Sequence, residues 1–362
     1  MINRLRKINS LLQEKNLDAI LISSVPNIFY LTDFSNFSSE EREAYVLITK
    51  DKQYVFTDGR YIDAVKKEVQ NFLFQEITAQ TPFIKHLTTI VKQTNIKTIG
   101  FEETNITYWE YKRLAETKCT LVPVEISTIR SQKEPDEIIK IKAACQLGDE
   151  TFRYMLSKVE PDVTEKALQT EIELFIKQHG ADISFKPIVA FGENAAIPHH
   201  QSGNRKLRQG DCVLFDLGAK VNNYCSDMSR TVFFGKPTSE QKKVYQTVLE
   251  SQKRAIDSLS KDGSSSRSVL AKNVDAISRN YITSQNYPTI PHSLGHGTGI
   301  EVHESPHVSP AAKDTLKENM VFSIEPGIYL PNFMGVRIED LVLLTKTGVE
   351  ILTLSPKELI TL

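Results

Sequence analysis

Two stretches of this chain place carboxylates within or beside runs otherwise suited to the inside of a β-sheet, and that conflict restricts the fold more than any other feature. Val213-Leu214-Phe215-Asp216-Leu217-Gly218-Ala219 and Tyr224-Cys225-Ser226-Asp227-Met228-Ser229-Arg230-Thr231-Val232 are β-rich runs around the turn-prone Lys220 to Asn223. They predict a hairpin with an acid on each arm. Met320 to Tyr329 and Val336 to Val342 repeat the plan with Glu325 and Glu339, joined by a loop through Pro331 and Gly335. In both units an acid-x-Gly precedes the turn and a second acid follows, 11 residues later in the first and 14 in the second. A carboxylate inside an apolar strand is unfavourable unless it is paired or bound to a cation. Four in two related settings predict two carboxylate pairs around one pocket, and two divalent cations would balance all four charges.

Between the units lies Pro291-His292-Ser293-Leu294-Gly295-His296-Gly297-Thr298-Gly299, followed by Val302-His303-Glu304. Its alternating glycines allow close backbone approach around His296, the obvious nitrogen donor. One imidazole with four carboxylates is a hard, oxygen-rich set that suits manganese, cobalt or zinc better than a thiolate-rich structural zinc site. None of the four cysteines has ligand spacing.

Each residue also has a plainer reading. Asp216 and Asp227 are of a type common in turns. Glu325 could simply end a strand, and Glu339 could form a weak surface ion pair with Arg337 two positions earlier. The apolar flanks and the order of the five groups favour the metal reading. Six of the eight histidines lie between residues 199 and 307, which places a site there.

Asp-Leu-Gly, Ser-Asp-Met-Ser-Arg, Gly-His-Gly-Thr-Gly with Val-His-Glu, Glu-Pro-Gly and Arg-Ile-Glu-Asp together resemble the successive motifs of the prolidase and aminopeptidase P family, which shares the pita-bread fold with methionine aminopeptidase. Asn27-Ile28-Phe29-Tyr30-Leu31-Thr32 and Phe56-Thr57-Asp58-Gly59-Arg60-Tyr61 resemble the N-terminal domain of creatinase and prolidase. Asp33 departs from the glycine usual after the Leu-Thr pair, which puts the local turn in question. The resemblance implies an α/β (α+β) protein: a creatinase/prolidase-type α/β domain over residues 1–129, then a pita-bread catalytic domain over 130–362, with a curved, mostly antiparallel sheet covered by helices.

Composition fits that expectation. A chain of 362 residues exceeds the usual single-core size. A net charge of −1 with no polybasic tract excludes an electrostatically driven nucleic-acid or membrane binder. The N-terminus reads as an amphipathic helix near 2–15 and carries no signal-peptide core. Unpatterned cysteines favour the cytoplasm and small core positions. Strand-like runs at 17–22, 45–49, 54–57 and 120–124 precede helical patterns near 135–158, 164–179, 239–260 and 266–284.

By resemblance, Asp216 and Asp227 hold one metal, and His296 and Glu325 the other. Glu339 bridges, with Asp227 also able to bridge, and Glu325 also shuttles a proton. Two such ions, manganese foremost with cobalt, zinc or iron as alternatives, would share a hydroxide that cleaves the bond on the N-side of proline. His199 and His303 would bind substrate and serve catalysis, and Arg337 would contact substrate or orient the acids. His200, His292 and His307 are read as ordinary or supporting residues. The implied substrates are Xaa-Pro dipeptides or peptides with proline second, and the implied assembly is a homodimer. A creatinase-like hydrolase or a peptide-binding module on the same scaffold is the alternative.

Overall fold

The computed structural model describes residues 2–259 and 269–362. Chain contacts divide the protein into two units, Met1–Arg130 and Ser131–Leu362.

The first unit is a mixed six-stranded sheet with helices. In chain order it comprises α1 (Ile2–Glu14), β1 (Ala19–Ile22), α2 (Val25–Thr32), β2 (Ala44–Thr49), β3 (Gln53–Asp58), α3 (Ile62–Glu68), β4 (Leu73–Ile77), α4 (Phe83–Thr94), β5 (Thr98–Phe101), α5 (Tyr108–Ala115) and β6 (Thr120–Pro123). The spatial order is β4-β3-β2-β1-β5-β6, with β1, β2 and β3 antiparallel and the outer pairings parallel. Ala19 to Ile22 is buried on both faces, as its unbroken apolar run demands. The Asn27–Thr32 motif forms α2, and Asp33 caps it in the left-handed region at φ 58°. Aspartate tolerates that conformation better than most side chains, and its carboxylate accepts from Arg4 at 2.9 Å. The turn questioned at Asp33 therefore forms, by the geometry glycine would have served.

The second unit carries two long helices, α6 (Pro135–Leu156) and α7 (Glu165–Gln178), before its first strands. Pro135 opens α6, where its missing N–H is no loss. There follow β7 (Asp182–Ile183), β8 (Ile188–Phe191), β9 (Cys212–Leu217), β10 (Ala219–Val221), β11 (Tyr224–Cys225) and β12 (Met228–Phe233). Next come α8 (Ser239–Ser258), β13 (Val269–Leu270) and α9 (Ala271–Ser284). The helical pattern expected from 266 thus begins at 271, after a short strand, while residues 260 and 266–268 of the expected helices lie outside the described residues. The chain ends in β14 (Gly295–Gly297), β15 (Glu304–Val308), β16 (Thr315–Leu316), β17 (Val321–Ile324), β18 (Gly327–Leu330), β19 (Met334–Arg337), β20 (Asp340–Thr345) and β21 (Gly348–Ile351).

The two acidic segments are built alike. β9 pairs antiparallel with β12, and the chain between them folds into a smaller hairpin, β10–β11. Its two-residue turn, Asn222–Asn223, has φ 49° and 66°, the both-positive pattern of a tight hairpin turn. β17 likewise pairs with β20, and β18–β19 is the hairpin between them. Gly335 lies within β19 and not in the connecting loop. The inner hairpins leave the outer pairs where the acids sit: Asp227, Glu325 and Glu339 lie at strand junctions, and Asp216 lies one residue from the end of β9.

Two buried clusters support these pairs. Phe152, Phe215 and Val232 belong to one, with Leu168 and Ile172 of α7. Phe322, Ile324, Val336 and Ile338 belong to the other, with Val244 and Val248 of α8. Phe215 is fully buried beside Asp216 and meets Phe152 edge-on at 6.0 Å; burying such a ring stabilises by roughly 2–3 kcal/mol. Among the described residues all four cysteines are free thiols, and three of them are buried. No described helix is long and apolar enough to cross a membrane.

Candidate metal centre

Asp216 lies in β9 opposite Ser229 of β12, and Asp227 immediately precedes β12. Glu325 follows β17, and Glu339 sits between β19 and β20. His296 is the central residue of β14, which pairs with β17 through Gly297 and Phe322. The fold therefore brings five groups, spread over more than a hundred residues of chain, into one pocket.

Ligand atoms of Asp216, Asp227 and Glu339 all lie within 4.8 Å of one another, and so do those of His296, Glu325 and Glu339. The two sets share Glu339. A third set, Asp227, His296 and His303, runs between them.

The hydrogen bonding is incomplete in a telling way. Asp216 Oδ1, Asp227 Oδ1 and Glu339 Oε1 are buried with no hydrogen-bond partner. A buried carboxylate oxygen without a donor is strongly disfavoured, and three of them converging are what a cation site requires. The opposite oxygens are held: Arg337 Nη2 donates to Asp216 Oδ2 at 2.6 Å, and Ser229 Oγ donates to Glu339 Oε2 at 2.8 Å. Asp216 and Glu339 are thus each oriented through one oxygen and leave the other open.

Electrostatics say the same. Burial, reinforced by neighbouring carboxylates, raises Asp227 and Glu339 well above the usual carboxylate range. Burial also raises Asp216, against the pull of Arg337. Burial opposes charge on His296 too, but the bond and charge of Glu325 outweigh it and lift the imidazole to about 9. Glu325, likewise buried, is held below its ordinary value by His296. His296 Nε2 stands 3.3 Å from Glu325 Oε1 and 3.6 Å from Asp227 Oδ2. Its Nδ1 faces the Gly297 carbonyl at 3.2 Å, which assigns a proton there, so Nε2 is the atom that could act as a ligand once its own proton leaves.

Arg337 is almost fully buried, and its contacts are all internal. Nε donates to Ser229 Oγ at 2.8 Å, Nη1 to Tyr329 OH at 3.0 Å and to the Pro198 carbonyl at 3.3 Å. Of the two roles expected for it, this geometry matches orientation of the acids. Neither does it pair with Glu339 at the surface, the plainer reading of that motif, because both side chains are buried and Arg337 reaches Asp216 instead.

His303 is exposed beside the pocket, its ring edge-on to His296 at 4.3 Å. His199 is exposed on the loop after β8, next to Pro198, whose carbonyl accepts from Arg337. His292, read from the sequence as an ordinary or supporting residue, has two defined partners. Its Nε2 lies 2.8 Å from Tyr329 OH, the hydroxyl that accepts from Arg337, and its Nδ1 lies 2.8 Å from the Ser293 carbonyl. His292 therefore ends a chain running through Tyr329 and Arg337 to Asp216. Its position four residues before His296 was the available signal. His307 pairs in register with His296 but is solvent-exposed.

The chain matches the model of metallopeptidase family M24 over residues 139–346 and that of the creatinase/prolidase N-terminal domain over residues 4–132. It is 34% identical over 366 residues to an Xaa-Pro dipeptidase of Pyrococcus horikoshii, with 99% of each chain covered. Its structure superposes on an Xaa-Pro dipeptidase from Bacillus anthracis with a TM-score of 0.91 at 33% identity, covering 100% of this chain and 99% of that one. An X-Pro aminopeptidase from Thermotoga maritima gives 0.84, also at 33% identity, over 96% and 98% of the two chains.

Proposed function

The chain belongs to metallopeptidase family M24, a creatinase-type N-terminal domain followed by a pita-bread domain, and on that premise we propose that it is an Xaa-Pro dipeptidase working with two divalent ions. The observation that carries this reading is the convergence of three partnerless carboxylate oxygens in two ligand sets that share Glu339. Asp216 and Asp227 would hold one ion and His296 with Glu325 the other, with Glu339 common to both. Manganese suits that oxygen-rich set. Ions held by these residues would lower the pKa of a bound water from 15.7 towards ~7 and polarise the scissile carbonyl.

The remaining chemistry belongs to the side chains. Glu325 takes the proton of the attacking water as the oxygen–carbon bond forms, then returns it to the proline nitrogen as the carbon–nitrogen bond breaks. Being held below the usual range by His296, it is ionised and ready to accept. His303 and His199, at the open side of the pocket, would hold the peptide and the oxygen that gains negative charge. Arg337 and Ser229 keep Asp216 and Glu339 in place.

The test uses metal-free protein, with and without added manganese, on alanyl-proline and on alanyl-prolyl-alanine. Manganese-dependent cleavage of the dipeptide alone is expected. Cleavage of the tripeptide would make the protein an aminopeptidase like the relative from T. maritima. Failure on both by metal-loaded protein would leave the binding-module alternative standing.

A further inference from the structure

Glu165 is a fully buried acid at the first position of α7 and belongs to none of the ligand sets of the metal centre. A lone buried carboxylate would be severely destabilising, yet this one is completely satisfied. Oε1 accepts from the Phe191 backbone at 2.9 Å and from Asn194 Nδ2 at 2.8 Å. Oε2 accepts from His200 Nε2 at 2.9 Å and from the Gly203 backbone at 3.0 Å. Each oxygen thus has two partners, at the N-terminal end of α7.

The pattern of those bonds matters more than their number. Phe191 and Asn194 precede the segment 195–199, while His200 and Gly203 follow it. One oxygen thus grips the entering limb of the loop and the other the leaving limb, with His199 between them. Other contacts hold the loop elsewhere: Arg205 bonds Glu193 and Asp211 near its outer edge, and Arg337 reaches the Pro198 carbonyl. Arg205 also ties the two limbs through Glu193, as Ser202 Oγ does through the Val189 backbone, but neither engages the His200 side chain beside His199.

We propose that Glu165, acting through His200, is a positioning residue that sets the place of His199 in the reaction. This rests on the peptidase reading given above. It also gives His200 a role, as the donor that passes the constraint from a rigid helix to the neighbouring histidine. A displacement of about 1 Å in a substrate-binding group lowers turnover by up to roughly a hundredfold.

The experiment uses full-length, manganese-loaded protein and two readouts. On alanyl-proline, Glu165→Gln and His200→Leu are expected to reduce kcat/KM by about ten- to a hundredfold, with bound manganese and Tm little changed. His200→Gln keeps a donor near the place of Nε2 and should stay within about threefold of the parent protein. In a His199→Ala background, Glu165→Gln should add less than about a twofold loss, because groups acting as one unit are not additive. Independently of any substrate, amide exchange at Ile197 and His200 should quicken at least about tenfold in Glu165→Gln and His200→Leu. Unchanged exchange at those amides overturns the proposal, and so does a Glu165→Gln loss that persists in full without His199. If the parent protein cleaves neither test peptide, the peptidase reading falls, and the exchange measurement still decides whether Glu165 fixes the loop.

Discussion

Ser229 shows how few polar atoms keep the acids in order. Its hydroxyl accepts from Arg337 and donates to Glu339, so one small side chain links the cation that orients Asp216 to the carboxylate common to both ligand sets. The same crowding sets a sign test for Glu339. Buried among carboxylates, it is unfavourable as an anion when no metal is present. Glu339→Gln should therefore raise the Tm of the metal-free protein, by about 2–6 °C if about 1–2 kcal/mol is relieved, and lower bound manganese below two ions per chain. Calorimetry and elemental analysis check both halves; a metal-free variant less stable than its parent would mean that Glu339 is not a strained acid. Arg337 allows a comparable separation of roles. Lysine keeps the charge but loses the planar fork that spans Asp216, Ser229 and Tyr329. If Arg337 orients the acids, Arg337→Lys lowers kcat and manganese affinity together. A rise in KM alone would assign it to substrate.

At the level of elements, the inner hairpin β18–β19 is bound to the loop that carries His199 by a close backbone approach. A Cβ at position 335 would overlap the carbonyl of Ala195. Gly335→Ala should consequently destabilise by about 2 kcal/mol or more, because backbone and not a flexible side chain must yield. It should also lower kcat/KM through displacement of the loop, and a variant with parental Tm and rate would show that this contact is soft. Sequence reasoning reached the outer pairs β9–β12 and β17–β20 because acid-x-Gly, turn residues and β-rich apolar flanks are local patterns that a single sequence displays. It placed Gly335 in a loop because glycine is a frequent turn residue, whereas here it serves a contact with residues some 140 positions away, which local pattern cannot report. Glu165 was missed, and the partners of His292 went unread, for the same reason. Each acquires its role from a partner distant in sequence, Tyr329 in one case and the 191–203 loop in the other.

For the molecule as a whole, near-neutrality conceals a strong local imbalance. The net charge is −1, yet four carboxylates share one pocket with Arg337 and His296. Asp227 and Glu339 are raised well above the ordinary carboxylate range, and His296 is raised to about 9. All three shifts have one sign: the folded, metal-free protein holds protons that the unfolded chain releases. Stability carried by those protons is present at low pH and is lost as pH rises, through the raised carboxylate values and then through about 9 for His296. Metal reverses the trend, since it competes with the same protons and binds more tightly as they leave. Its contribution reaches about 2.7 kcal/mol when free metal is a hundred times its dissociation constant. The Tm of metal-free protein should thus fall from pH 6 to pH 9 while that of manganese-loaded protein falls less or rises, so the gap between them widens. Thermal unfolding of dialysed and manganese-loaded samples at three pH values measures that gap. A constant or narrowing gap would mean that the protons and the metal do not compete for the same oxygens, and the pocket would lose its assignment as a cation site.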